Sequence, residues 1–247
     1  DKLLTKIFQK VWSIIAHTRF STRTKGLITQ KNLHAYLKIA KPWDIFLTRW
    51  NWNASNISIP WFWKHMSMYI WNWKSLKKNF KLKSLEKLDD KTEYIVEATW
   101  EGIKVVELNH LAFKNDYLWV SRTDFKKEKI LRTIKASLKN IWKWYDHLFN
   151  FHSDKHLVCS ELVLKSYARE FEDDEWIEIE LDNIWISLTY PPNKFVYKLK
   201  NEQKKKKTYL SPVFFIDSIE KTHKNFVSTT SEFIKSRKRP KLSLFLK

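Results

Sequence analysis

Cysteine, glycine and long hydrophobic runs are scarce in this sequence of 247 residues, which has one Cys and two Gly. A single cysteine excludes an internal disulfide framework and any zinc cluster built from several cysteines, so Cys159 is either an inert buried thiol or a reactive one. No run approaches the roughly 18 apolar residues that cross a bilayer, so we expect no transmembrane segment. The amphipathic beginning of the sequence lacks the features of a signal peptide. The compartment therefore stays open between the cytoplasm and the cell envelope.

Acidic residues are also few. The sequence has 27 Asp and Glu and 46 Lys and Arg, which gives a net charge of +19. The electrostatic field of such a positive charge attracts anionic polymers and membrane surfaces. The basic residues fall in dispersed segments, KSLKKNFKLK, KNEQKKKK and KSRKRPK, a pattern typical of solvated loops and a tail. No recognition motif accompanies them, so we predict no specific nucleic-acid partner and leave membrane-surface association open.

Tryptophan stands where turns ordinarily have glycine. Ordinary usage would supply about 7% Gly, roughly 17 residues, whereas the sequence has 2 Gly and 14 Trp. Turns often need positive φ, which strains a bulky side chain. We hypothesise that many of these positions are UGA codons that the source organism reads as glycine, among them Trp43, Trp61, Trp63, Trp71, Trp73, Trp142 and Trp144. The alternative is a truly Trp-rich surface, and UGG codons at these positions would exclude the hypothesis.

The chain divides by composition into three parts. A helical stripe at residues 1–16 and a connector predict an N-terminal appendage over 1–40. Residues 41–199 predict one α+β domain, in which an antiparallel sheet packs against helices. Its predicted strands read DIFLTR, HMSMYI, EYIVEA, IKVVEL, YLWVSR and KFVYKL, with the EYIVEA, IKVVEL and YLWVSR runs forming a meander. Residues 124–141 predict a helix, and 200–247 predict a basic C-terminal extension.

Two strand residues and one helix residue have the chemistry of a thiol hydrolase. Alternation in HMSMYI puts His65, Ser67 and Tyr69 on one face, and Glu97 falls in the next strand, EYIVEA. If these strands pair antiparallel, one face presents both His65 and Glu97. Cys159 begins the amphipathic segment CSELVLKSYARE, and a helix N-terminus favours thiolate. A nucleophilic thiol needs such an imidazole, and the imidazole needs an orienting carboxylate.

The order of motifs resembles one family of enzymes. KPWDIFLTR, IPWFWKHMSMYIW, YIVEATWEGIKVVEL, WYDHLFNF and HLVCSELVLKSYA are similar to the circularly permuted NlpC-type papain-like hydrolases, the YaeF/YiiX group, over about residues 41–195. His precedes Glu and Glu precedes Cys, as in the permuted topology. The departures are almost all Trp where the family has Gly, at Trp43, Trp61 and Trp63 among others.

The resemblance implies a papain-like fold with its nucleophile at a helix N-terminus and assigns a role to each matching residue. Cys159 is the expected nucleophile, His65 the general base and Glu97 the orienting carboxylate. The other matching positions are expected to be structural or substrate-lining: Asp44, Tyr69, Tyr145 and Asp146. The implied reaction is attack by the Cys159 thiolate on an amide or ester, followed by hydrolysis or transfer of the acyl group. The substrate class ranges from cell-envelope peptides to acylated lipids.

Other interpretations remain at this point. His147 could replace His65 as base, and the spacing of His152, His156 and Cys159 could bind zinc, although the expected chemistry needs no metal and no cofactor. The chain could instead be an inactive binding module that uses its basic surface on membranes or anionic polymers. A Trp-rich binding protein without hydrolase ancestry would require the tryptophans to cluster on one exposed face.

Overall fold

A seven-stranded antiparallel sheet organises the part of the chain that the computed structural model describes, residues 10–11, 14–15, 18, 20–21, 23–80, 88–168, 180–184, 187–202 and 209–240. The strands are β1 Ile45–Arg49, β2 His65–Asn72, β3 Glu93–Thr99, β4 Gly102–Glu107, β5 Tyr117–Thr123, β6 Asp182–Ile184, β7 Ser187–Thr189, β8 Leu210–Ile219 and β9 Lys224–Val227. The helices are α1 Gln30–Leu37, α2 Ser55–Ser58, α3 Trp73–Asn79, α4 His110–Lys114, α5 Lys127–Leu138, α6 Cys159–Ala168, α7 Pro192–Glu202 and α8 Thr230–Ser236, with a 3₁₀ turn at Glu220–Thr222.

The sheet order is β4-β3-β2-β1-β5-β8-β9, while β6 and β7 form a separate hairpin. Strand β2 pairs antiparallel with β1 on one side and with β3 on the other. In the β2–β3 ladder Ser67 lies opposite Glu97, so the two strands that carry the predicted base and carboxylate are neighbours.

Hydrophobic side chains cover both faces of the sheet. On one face Met66, Met68 and Ile70 of β2 belong to a buried cluster with residues of α5, α6, α7 and α8. On the other face Tyr69 belongs to a second cluster with residues of α1 and α4. The period-two alternation predicted for HMSMYI is therefore confirmed, since Tyr69 belongs to a different cluster from Met66, Met68 and Ile70.

Two predicted features of the sheet are wrong. KFVYKL is not a strand but part of α7, because Phe195, Val196 and Leu199 repeat at helical spacing and are all buried, and Pro192 supplies the fixed φ that favours a first helical position. The predicted meander is also interrupted. Helix α4 follows β4 and carries the chain across the sheet, so that β5 pairs with β1 and not with β4.

The chain outside the predicted domain contributes as follows. Most of the predicted N-terminal stripe lies outside the described residues, and the predicted connector contains α1, whose Leu33 and Tyr36 are buried. Residues of the predicted C-terminal extension form β8, which pairs with β5, and β9, which pairs with β8. Residues 203–208 and 241–247 lie outside the described part.

Backbone dihedrals bear on the excess of tryptophan. Six described residues other than glycine have positive φ, and four of them are tryptophans: Trp43 at 71°, Trp52 at 64°, Trp71 at 91° and Trp142 at 74°. A β-branched or bulky residue is uncommon in this region, whereas glycine adopts it without penalty. The dihedrals therefore support the glycine hypothesis at these four positions, and the codons remain its test.

Candidate active site

Helix α6 fixes the sulfur of Cys159 at its first residue. The helix begins there because the Glu161 carboxylate, three positions after Val158, accepts the Val158 N–H at 3.3 Å, which is one half of a capping box. Leu162, Val163 and Tyr167 anchor the buried face of the helix. Cys159 is the one cysteine of the chain and is 6% exposed, so its sulfur borders the cavity described below without lying open to solvent.

His65 and Glu97 meet across neighbouring strands. His65 is the first residue of β2, and its Nε2 lies 2.9 Å from Oε2 of Glu97 on β3. The Glu97 side chain is 4% exposed and that of His65 27% exposed. The pair therefore has a buried carboxylate that holds the ring and an imidazole edge that other groups can reach.

Cys159 is the other residue that acts on the imidazole of His65. Because Nε2 is engaged by Glu97, Nδ1 is the ring nitrogen left to exchange a proton with sulfur. Burial by itself lowers the pKa of His65, but hydrogen bonds and charge attraction to Cys159 and Glu97 outweigh it and raise that pKa to about 10. The arrangement thus favours the protonated form of His65 beside the Glu97 carboxylate.

The carboxylate of Glu97 stays ionised for the same reason. Burial raises its pKa, yet the hydrogen bond and the charge of His65, with smaller contributions from His110 and Lys104, lower the pKa of Glu97 below its ordinary value. A permanent negative charge at Glu97 can therefore orient and stabilise the protonated base.

A cavity of about 390 Å³ opens beside His65 and Glu97. Its walls include polar, charged and aromatic side chains, among them His65, Glu97, Trp100, His110, Lys114 and Tyr145. A second cavity of about 20 Å³ borders Cys159 and shares Ile59, Lys64 and Tyr145 with the first. Trp61 forms part of the small cavity's wall, so a tryptophan narrows the approach to the sulfur.

The other residues predicted near the substrate have different positions. Tyr145 borders both cavities. Asp146 accepts backbone N–H groups of Leu148 and Asn150 and so holds the following turn; burial raises the pKa of Asp146.

Asp44 and Tyr69 do not border either of these two cavities. Asp44 is fully buried, receives hydrogen bonds from Tyr36 and Arg122, and ties α1 to β5. The Tyr69 hydroxyl donates to Glu93 at the far end of the β2–β3 pair. Both contacts hold neighbouring elements of the fold together.

The competing interpretations find less support in the geometry. The His147 ring packs edge-on against Tyr145 at 5.4 Å between centroids, and its Nδ1 has no hydrogen-bond partner in the described residues; burial lowers its pKa. Within the described ranges no three His, Cys, Asp or Glu side chains are gathered in a way that could hold a metal ion, and this covers His152, His156 and Cys159.

One neighbour of Glu97 was not predicted from the sequence. His110, the first residue of α4, has its Nε2 4.0 Å from the second oxygen of Glu97. No motif marks this histidine, and only the crossing of α4 over the sheet brings it to β3.

Among the described helices, none is long and apolar enough to span a membrane.

Comparison with known proteins identifies the family. A family model described as permuted papain-like amidase enzyme, YaeF/YiiX, C92 family, matches residues 40–179, more than half of the chain. The crystal structure of metalloprotein yiiX from Escherichia coli O157:H7 aligns at 17% identity with a TM-score of 0.46, covering 70% of this chain and 96% of that chain. No curated protein matches. The chain therefore belongs to the C92 family of permuted papain-like amidases, the YaeF/YiiX group.

Proposed function

We propose that this amidase-family protein cleaves an amide or ester through a thioacyl-enzyme, with Cys159 as nucleophile, His65 as general base and acid, and Glu97 as the carboxylate that orients His65. The observations that carry the proposal are the 2.9 Å contact between the His65 ring and the buried Glu97 carboxylate, and the hydrogen bonding and charge attraction by which Cys159 raises the pKa of His65. Each neighbour of His65 favours its protonated form, as a thiolate–imidazolium pair requires.

The steps follow from this geometry. The Cys159 thiolate attacks the substrate carbonyl carbon, and the first N–H groups of α6, which have no intrahelical acceptor, face the developing oxyanion. The imidazolium of His65 then donates its proton to the leaving nitrogen or oxygen. Water, deprotonated by the same ring, attacks the thioester and releases the acid and free Cys159. Glu97 keeps its charge throughout and holds the ring in one orientation.

The substrate of the family contains an amide, and we extend this to amides of cell-envelope peptides or acylated lipids. The net charge of +19 supports this extension, because it raises the local concentration of anionic envelope polymers and lipid head groups. The cavity of about 390 Å³ accepts one small segment of such a substrate beside His65.

The test is the rate at which iodoacetamide alkylates Cys159, measured by mass spectrometry at pH 6.5. At that pH only about 1% of an ordinary thiol with a pKa near 8.5 is ionised, so an ion-paired Cys159 should react up to about 100-fold faster than an unpaired one. His65→Ala should remove this advantage, and Glu97→Gln should reduce it.

His147→Ala is the matched control, because it removes an imidazole whose Nδ1 has no hydrogen-bond partner among the described residues, and it should leave the alkylation rate unchanged. Equal rates for wild type and His65→Ala would exclude the proposed nucleophile–base pair. A rate that depends on His147 and not on His65 would reassign the base.

A further inference from the structure

Within the described part of the chain, the second oxygen of the Glu97 carboxylate receives no hydrogen bond. Oε2 contacts His65, whereas Oε1 is buried and unpartnered among the described residues. A buried carboxylate oxygen without a donor is costly and uncommon. The nearest basic group is Nε2 of His110 at 4.0 Å, about 1 Å beyond an ordinary hydrogen bond. Glu97 therefore lies between two imidazoles, one on each oxygen.

Helix α4 holds His110 in this place. The residues that follow it, Leu111 and Ala112, are buried in the same hydrophobic cluster as Ile95 of β3, so the helix and the strand that carries Glu97 share one core. The His110 side chain is 32% exposed and borders the larger cavity. Its ring can thus approach Glu97 by a small side-chain movement without displacing the helix.

The charge state of His110 suits a donor to Glu97. Burial lowers its pKa, and the charges of Lys114, Lys104 and His65 lower it further, while Glu97 alone raises it; the net direction is below the ordinary value. A neutral imidazole with its proton on Nε2 donates one hydrogen bond. It does so without adding a second positive charge that would compete with the imidazolium of His65.

We propose that His110 is a positioning residue, which donates a hydrogen bond to Oε1 of Glu97 and so keeps Oε2 directed at His65. The inference rests on the proposed function, since it concerns the carboxylate of the same triad. With His110 in place, the carboxylate plane is held from both sides. Without it, the carboxylate turns about its terminal bond, His65 loses part of the support for its proton, and thiolate formation requires a higher pH.

The experiment compares His110→Ala, His110→Gln and His110→Asn in the full-length protein, with the iodoacetamide rate measured from pH 5 to pH 9. The Gln amide nitrogen takes the place of Nε2, whereas the Asn amide nitrogen takes that of Nδ1. His110→Ala and His110→Asn should lower the rate at pH 6.5 about 3- to 10-fold and move the midpoint of the rate profile to higher pH. His110→Gln should restore both the rate and the midpoint.

The outcomes separate this inference from the proposed function. If His65→Ala slows alkylation while the His110→Asn and His110→Gln profiles coincide with that of wild type, the positioning role is wrong and the triad stands. If His65→Ala does not slow alkylation, the proposed function itself fails. A lower rate with an unchanged midpoint in His110→Asn would indicate only a structural effect and would overturn the inference. Should His110→Ala fail to fold, the Gln and Asn variants decide alone.

Discussion

Trp71 lies where the register of the β2–β3 ladder shifts, between Tyr69 and Trp71, and its φ is 91°. A bulge of this kind commonly takes glycine, because the extra residue adopts a conformation that a Cβ disfavours. Trp43 has the same strain but also a fully buried ring packed against Tyr167 at 5.0 Å. A substitution at Trp43 would therefore change backbone strain and core packing together. A substitution at an exposed tryptophan changes mainly the strain.

Trp142 is such a tryptophan, with a φ of 74° and 77% exposure. Trp142→Gly should raise the free energy of unfolding by about 1 kcal/mol, because strain of roughly 1–2 kcal/mol is relieved and little burial is lost. Denaturation monitored by circular dichroism measures this. Trp144→Gly is the control, since Trp144 is 62% exposed but is not among the positive-φ residues; it should be neutral or destabilising. A destabilised Trp142→Gly would contradict the strain argument.

Individual residues of the site differed in how far the sequence could predict them. The contact of His65 with Glu97 followed from strand alternation and antiparallel pairing, and both are properties of short segments. His110 could not be predicted, because its approach to Glu97 depends on where α4 crosses the sheet. The positions of Asp44 and Tyr69 away from the two cavities likewise depend on long-range contacts, with Arg122 and Glu93 respectively.

At the scale of elements, α6 carries both Cys159, the proposed nucleophile, and a buried acid, Glu161. Glu161 is fully buried, its Oε1 has no hydrogen-bond partner among the described residues, and burial raises its pKa to about 7 despite the charge of Lys165. In the unfolded chain a glutamate has a pKa near 4.3. The folded form therefore retains a proton that the unfolded form releases, and the stability contributed by Glu161 is fully present below about pH 4.3 and is lost as the pH rises through about 7.

Glu161→Gln should remove this pH dependence. At pH 8 the variant should be more stable than wild type by on the order of 1–3 kcal/mol, and at pH 4 the two should be similar, because Gln keeps the acceptor for the Val158 N–H without a titrating proton. Urea denaturation at both pH values measures the difference. A variant less stable than wild type at pH 8 would show that the charged form of Glu161 stabilises the helix start.

Elements with strong local patterns were predicted well. The strands around Phe46, Met68, Val96 and Val120 follow from β-branched and aromatic runs, and α6 follows from its amphipathic spacing. The prediction for KFVYKL failed because Phe195, Tyr197 and Leu199 alternate as in a strand while Phe195, Val196 and Leu199 repeat as in a helix, and the preceding prolines decide in favour of a helix. The prediction that β5 pairs with β4 was wrong because consecutive strands usually form a hairpin, and only the intervening helix α4 excludes one here.

At the scale of the whole molecule, β8 joins the C-terminal part of the chain to the main sheet by pairing with β5. Ile216 of β8 lies opposite Leu118 of β5 and is fully buried. Asp217 next to it forms an ion pair with Arg239 at 2.6 Å, which links β8 to the chain after α8. Strands β8 and β9 could not be predicted from composition, because lysines dominate the composition of residues 200–247.

Ile216→Ala should lower the free energy of unfolding by about 2–4 kcal/mol in a single transition, as for a buried core side chain. Ile219→Ala on the same strand is the control: Ile219 is 44% exposed, and its replacement should cost less than about 1 kcal/mol. Chemical denaturation followed by far-ultraviolet circular dichroism distinguishes the two. Similar small losses for both would show that β8 is not an integral part of the sheet.

The late position of β8 in the chain has a consequence for biosynthesis. The ribosome completes β5 at Thr123, but its partner begins only at Leu210. At a translation rate of about 5–20 residues per second, the edge of β5 that pairs with β8 stays unpaired for several seconds or more. During this interval the nascent chain presents unpaired amides beside Leu118, Trp119 and Val120, which is a template for intermolecular pairing. Folding in the cell should therefore depend on chaperones that shield this edge until the last strands emerge.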